Sequence, residues 1–118
     1  MSFDRLDQET QNVVRGGDEA RLARMSRQEL DGLAALFKAL GHDGRLMILC
    51  QLAAGERTVT ELEALLGQRQ AAVSQQLARL RLEGMVATRR EGKAIHYSLA
   101  CQKVRAILRL LPELGKAA

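Results

Sequence analysis

From Leu30 onward the apolar residues come in bursts at helical spacing, most of them closed by a glycine, with one interval where they alternate instead. Leu30, Leu33, Ala34, Phe37 and Leu40 recur three or four apart and predict a first helix with a single apolar stripe. Ser26 and Glu29 form a capping box before it, in which each side chain satisfies a backbone N–H that the helix start would leave orphaned. Gly41 is expected to end it in the left-handed cap conformation. Asp43 is the expected N-cap of a second helix, which carries Leu46, Leu49, Cys50 and Ala53 on one side. Met47, Ile48 and Leu52 broaden that side before Gly55, so this helix is expected to be largely buried. Thr58-Val59 is too short for more than a bridging strand, and Thr60 with Glu63 repeats the capping box for a third helix bearing Leu62, Leu65 and Leu66. Gly67 stops it, and a fourth helix begins near Gln70, turns Val73, Leu77 and Leu80 inward, and ends at Gly84.

Two helices joined by a short glycine-containing turn are the helix-turn-helix pattern. After it, Met85 to Arg90 and Ala94 to Leu99 read as strands joined by Glu91-Gly92-Lys93, and in the second Ile95, Tyr97 and Leu99 alternate with Ala94, His96 and Ser98. That is a β-hairpin. A fifth helix from about Cys101 carries Val104, Ile107, Leu108, Leu110, Leu111 and Leu114, spread too widely around its circumference for one intramolecular contact. Part of that surface is expected to meet a second copy of the chain. Pro112 limits how far this helix runs regularly. Residues 1–25, with Gly16-Gly17 and dense mixed charge, read as a frayed, partly helical arm ahead of a domain over 26–118.

A length of 118 residues suits one domain of this kind and leaves little room for a second core. No apolar run approaches the roughly 18 residues of a membrane helix. The opening MSFDRLDQET is charged where a secretory signal would be apolar, so the chain is expected to stay in the cytoplasm. Two cysteines, Cys50 and Cys101, make no disulfide scaffold. The net charge of +4 conceals an asymmetry: residues 69–109 hold nine basic residues against two acidic ones, Glu83 and Glu91. That segment carries +7 and everything else sums to −3. Polyanions become natural partners, while an aromatic content of 3% excludes base-stacking platforms.

If Val73, Leu77 and Leu80 face inward, a step of about 100° per residue sends Ala71, Ala72, Gln75 and Arg79 outward, with Gln70 and Ser74 on the flank. Small and amide side chains are what a recognition helix needs at its N-terminal half, since bulk would hold it out of the major groove and glutamine bonds adenine bidentately. Gln68, Arg69, Gln70, Gln75 and Gln76 suit that task. Arg69, Arg79 and Arg81 are expected to neutralise phosphates, and Arg89, Arg90 and Lys93 on the hairpin to reach the backbone or an adjacent minor groove. The bland alternative, that these polar residues only face water, leaves the regional charge and the glycine-punctuated helix pair unexplained.

The blocks Leu36 to Leu49, Gln70 to Leu77 and Ala94 to Leu99, in this order, resemble the ArsR/SmtB family of bacterial repressors. The resemblance covers about residues 26–114 and implies a mainly α fold of about five helices with a small β-hairpin wing, a winged helix-turn-helix. It also implies a homodimer joined through the first and last helices, here Leu30, Leu33 and Phe37 against Val104, Ile107, Leu108 and Leu111. The partner would be double-stranded DNA bearing a palindromic operator, released when an inducer loosens the dimer. Base-reading positions carried over are Gln70, Ala71, Ser74 and Gln75; many relatives have Ser and His where this chain has Ala71 and Gln76, which leaves the operator sequence open.

Metal sensors of that family use a cysteine pair on the third helix or His and carboxylate clusters on the last. Here the third helix has neither Cys nor His and Glu113 is the last helix's only carboxylate, so no metal or other cofactor is expected. Cys50 resembles the second-helix cysteine of the branch that senses reactive sulfur or oxidants through a dithiol, and Lys116 stands where that branch has its second cysteine. Cys101 lies fifteen residues earlier, about 22 Å along a regular helix, whereas a disulfide needs Cα atoms roughly 4.4 to 6.8 Å apart. Either the pairing differs from the branch or the two thiols act separately. Cys101 at a helix start, with Lys103 and Arg105 close by, is the candidate for a stabilised thiolate; ordinary packing is the competing role for both cysteines. The expectation is a repressor released by a thiol-reactive signal, a persulfide or oxidant, at Cys50 and Cys101. The alternatives are a repressor answering another ligand or a metal, and an interaction module of the same fold that binds no DNA. No Cys, His and acid constellation points to catalysis.

Overall fold

The computed structural model describes residues 17–116. Residues 1–16 of the expected arm lie outside them, and the described part of the arm carries a short helix, α1 (Asp18–Leu22). The order continues α2 (Arg27–Leu40), α3 (Asp43–Ala54), α4 (Val59–Leu66), α5 (Gln70–Leu82), β1 (Val86–Glu91), β2 (Ala94–Leu99), α6 (Gln102–Leu108) and α7 (Leu111–Lys116).

The capping box of α2 forms as expected, with the Glu29 N–H donating to Ser26 Oγ at 3.0 Å and the Ser26 N–H donating to Glu29 at 2.8 Å. Hydrogen bonds from the Ser26 backbone N–H and from its hydroxyl hold the Glu29 carboxyl below its usual range. Gly41, however, caps α2 with φ −74°, in the right-handed region. Only Gly41 and His42 separate α2 from α3, and a Cβ at Gly41 would come within 3.3 Å of the Phe37 carbonyl, so crowding rather than handedness favours glycine there. The N-cap of α3 is His42, whose Nδ1 accepts the Arg45 N–H at 3.4 Å, and not Asp43. Asp43 stands in the first turn instead, where its carboxylate faces the positive end of the helix dipole and accepts the Gly44 N–H.

The third helix also begins earlier than its sequence indicated. Thr58 and Glu61 make the capping box, with Thr58 Oγ1 accepting from the Glu61 N–H and Glu61 accepting from the Thr58 N–H. The expected bridging strand at Thr58-Val59 contracts to one bridge at Arg57, which exchanges backbone hydrogen bonds of 3.1 and 2.8 Å with Tyr97. Since Thr58 spends its hydroxyl on the cap, the helix starts where a strand would have continued.

β1 and β2 are antiparallel, in register from Val86 against Leu99 to Glu91 against Ala94. The two-residue turn begins at Gly92 with φ 61°, which the primed hairpin turns demand of that position and which costs glycine little. The last helix is broken into α6 and α7 around Arg109-Leu110, because Pro112 offers no N–H to the carbonyl four residues before it.

The core gathers Ile48, Leu49 and Leu52 of α3, Leu62 of α4, Val73, Leu77 and Leu80 of α5, and Val104 and Leu108 of α6, closed by Met85, Val86 and Leu99 under the hairpin. Burying one such Leu contributes about 1.5 to 3 kcal/mol relative to leaving it exposed. Not all of α3 is enclosed: Met47 and Cys50 reach the surface. Among the described residues no helix is long and apolar enough to cross a membrane.

Candidate nucleic-acid interface

Three fully buried side chains, Val73, Leu77 and Leu80, seat α5 on the core and fix its rotation. Everything on the opposite side is consequently open. Gln70, Ala71, Ala72, Ser74, Gln75 and Arg79 are exposed as the helical step predicted, Arg69 and Arg81 are exposed with them, and Gln68 is half-buried in the turn. The turn from α4 is Gly67-Gln68-Arg69, and Gly67 closes α4 with φ 63° while its N–H donates to the Glu63 carbonyl at 2.8 Å. A non-glycine residue would be strained in that left-handed cap. Arg69 is the N-cap of α5, its side chain makes no capping bond, and the first turn holds no acidic residue. The first backbone N–H groups of α5 therefore remain available to an anion. Gln76 departs from the expected pattern: it is half-buried, and its amide nitrogen would lie 3.9 Å from a Cβ placed on the buried Gly44.

The cations expected to meet phosphate are held in different ways. Among the described residues Arg69, Arg81, Arg90 and Lys93 are exposed and enter none of the ion pairs. Arg79 pairs with Glu83 one turn along, at 3.2 Å. Arg89 is gripped on two sides. Its Nε donates to both oxygens of Glu56, at 2.9 and 3.0 Å, and its Nη1 donates to Glu91 at 2.9 Å. The two carboxylates hold the guanidinium charged still more firmly, and Arg89 in turn holds the Glu56 carboxyl below its ordinary range. His96, opposite Arg89 in the sheet, brings Nε2 to 3.7 Å from Glu91. Arg89 is thus no free wing cation. The residue that binds it, Glu56, was not singled out from the sequence; it precedes Arg89 by 33 positions and carries no spacing signal.

The surface expected to join two copies divides. Phe37 is 55% exposed and Leu30 47%, with Leu33 half-buried, so the outward stripe of α2 lacks a partner among the described residues. Ile107 and Leu111 are half-buried and line an apolar groove of about 240 Å³ together with Phe37, Leu40, Leu46 and Leu114. Of the other two residues expected on that surface, Leu108 is nearly buried yet also lines the groove, whereas Val104 is fully buried because α6 packs this side onto α3.

Cys101 is the N-cap of α6, half-buried against the core, and its side chain makes no capping bond. Cys50 is exposed on α3, in a groove walled by Arg105 and Leu108 of α6, by Arg109 after it and by Pro112 of α7. Burial of part of that thiol pushes its pKa up. Both thiols are free, one at the start of α6 and the other beside its end. Among the described residues no three His, Cys, Asp or Glu side chains assemble in a metal-holding group.

The profile described as "Bacterial regulatory protein, arsR family" matches residues 42–88, from the cap of α3 into β1. The biofilm growth-associated repressor of Agrobacterium fabrum is 51% identical over 79 residues, which are 67% of this chain and 68% of that protein. This chain belongs to the ArsR family. The transcriptional activator HlyU of Vibrio cholerae is another relative, 41% identical over 96 residues covering 78% of this chain and 89% of HlyU. The crystal structure of the transcriptional regulator HlyU from Vibrio vulnificus superposes with a TM-score of 0.73 at 40% identity, over 80% of this chain and 97% of that one. The architecture is therefore that of the ArsR winged-helix regulators, with β1 and β2 as the wing, and the activity is DNA-binding transcription regulation and not catalysis.

Proposed function

We propose that this ArsR-family protein is a dimeric, sequence-specific repressor of the cytoplasm that sets two copies of α5 into successive major grooves of a palindromic operator. The observation that carries the reading is the two-sidedness of α5: its inner side is fully buried while Gln70, Ala71, Ser74 and Gln75 stand open on the outer side. Such side chains admit the helix to the groove and read base edges, while Arg69, Arg79, Arg81, Arg90 and Lys93 neutralise phosphates. What supports a dimer is the stripe of Leu30, Leu33 and Phe37, without a partner among the described residues, and the groove of Ile107 and Leu111 beside it. Two recognition helices then stand about one DNA turn, roughly 34 Å, apart. The sign of regulation rests on likeness to the Agrobacterium repressor, since HlyU is named an activator.

Release by a persulfide or oxidant is the accompanying proposal, with the two thiols acting separately. Cys50 faces the break between α6 and α7, so an adduct in that groove would press on the helices that carry the dimer surface. Its raised pKa leaves less thiolate at neutral pH, and modification is expected to quicken as pH rises. The test is an electrophoretic shift on the promoter upstream of the protein's own gene, with and without persulfide or peroxide. A two-half-site footprint that vanishes on thiol modification, and persists in the Cys50→Ser, Cys101→Ser variant, is expected. No shift at any promoter overturns the repressor reading; release of the double variant by the same reagents overturns the thiol signal alone.

A further inference from the structure

Between α2, α3 and the end of α5 lies a cleft of about 440 Å³ that shares Arg79 with the proposed DNA surface, within the size range of small-molecule sites. Its floor is apolar, made by Leu36 and Ala39 of α2 and by Met85. Its rim is ionic and unbalanced: Lys38, Arg45 and Arg79 meet one carboxylate, Glu83. Glu83 is shared, 3.2 Å from Arg79 Nε and 3.8 Å from Arg45 Nη1. Arg45 is drawn inward, its side chain 14% exposed, and its buried Nε has no hydrogen-bond partner among the described residues. With three cations facing one carboxylate, the rim is short of negative charge.

We infer that this cleft is an effector site for a small amphipathic monocarboxylate, whose carboxylate is bound by Arg45 and Arg79 and whose apolar body lies on Leu36, Ala39 and Met85. Carboxylate complements guanidinium geometry, and the apolar floor favours a carbon chain or ring over a bare inorganic anion. The cleft is walled by Gly32, Leu36 and Ala39 of α2, whereas the expected dimer stripe is Leu30, Leu33 and Phe37, so occupancy and dimerisation need not compete. Occupancy and DNA do compete, a step that rests on the reading of α5 as the DNA helix. Arg79 lies on its outward side, and a carboxylate there takes the guanidinium from phosphate. The ligand would be an input separate from the cysteines.

Titration of the full chain with octanoate, octanol and inorganic phosphate, followed by methyl NMR without DNA, tests the site. Saturable shifts centred on Met85, Leu36 and Ala39 are expected with octanoate, and affinities at least about tenfold lower for octanol and phosphate, since each lacks one half of the recognition. Arg45→Met should reduce octanoate affinity about tenfold or more. Because Arg45 also pairs with Glu83, Ala35→Leu serves as an independent probe: it fills the cleft from the exposed side of α2, leaves every charge in place, and should abolish the shifts with the melting curve preserved. Octanol or phosphate binding as tightly as octanoate, or shifts that survive Ala35→Leu, overturn the site. In the second arm, saturating octanoate should weaken operator binding by the parent and not by Arg45→Met; unchanged operator affinity in the parent overturns the coupling. The NMR arm contains no DNA, so failure of the parent to bind any operator counts against the repressor reading alone.

Discussion

The outward side of α5 and the wing are both basic, yet they hold their cations and donors differently. On α5 the exposed Gln70, Ser74 and Gln75 make no side-chain hydrogen bond among the described residues, and the helix itself is pinned by Val73, Leu77 and Leu80. In the wing, Arg89 already spends its guanidinium on Glu56 and Glu91. A group that is rigidly placed and unsatisfied loses little on meeting DNA. A group with two ion pairs must first give them up. On the proposed reading, α5 would read the sequence and the wing would contribute less, through Arg90 and Lys93, whose side chains are exposed.

The most damaging change should be Ala71→Glu, which places a carboxylate on the exposed side of α5 proposed to enter the groove. Like-charge contact of this kind costs several kcal/mol, so operator affinity should fall by about a hundredfold or more while thermal stability barely changes. Fluorescence anisotropy on the operator measures it, and an unaltered affinity would break the contrast between α5 and the wing. Smaller and more diagnostic is the pair Gln75→Ala and Arg79→Ala. The first should narrow the preference for operator over scrambled duplex by about 1 to 3 kcal/mol. The second should weaken all duplexes alike and lower the salt slope by about one. If Gln75→Ala left the preference intact, α5 would not be the reading element.

Much of this arrangement is legible in the sequence. The three-and-four spacing of Val73, Leu77 and Leu80 determines a helix face, because burial on one side implies exposure on the other. The glycines at 67 and 92 marked the turns through a backbone demand that few residues meet. What could not be read were contacts closed by distance in sequence. Nothing local distinguishes Thr58 from Thr60 as a cap, since each has a glutamate three residues on, and the pairing of Arg57 with Tyr97 decided between them. The apolar residues of α6 announced a surface in excess of one contact, but assigning Val104 to the core and Ile107 to the surface required knowing where α3 lies. The two carboxylates on Arg89 were equally invisible, because Glu56 sits in a connecting loop.

The smallest expected effect is the sharpest test of the contrast, since it predicts a gain. Glu56→Gln removes one grip on Arg89 and leaves the backbone bridge of Arg57 to Tyr97 intact. Exposed ion pairs hold only weakly, so the variant should bind every duplex up to about fivefold more tightly, with a steeper salt slope because one more cation reaches phosphate. Acid should imitate the substitution in the free protein. The Glu56 carboxyl titrates below the ordinary value of 4.5 in the folded chain, so the pair is intact above that value and is lost as pH falls through the lowered one. An Arg89 side-chain N–H resonance that broadens over that acid range in the parent, and is already broad at neutral pH in Glu56→Gln, is the expected record. Weaker DNA binding by the variant would mean that Glu56 holds Arg89 in place for phosphate, and the wing would then be as well prepared for DNA as α5.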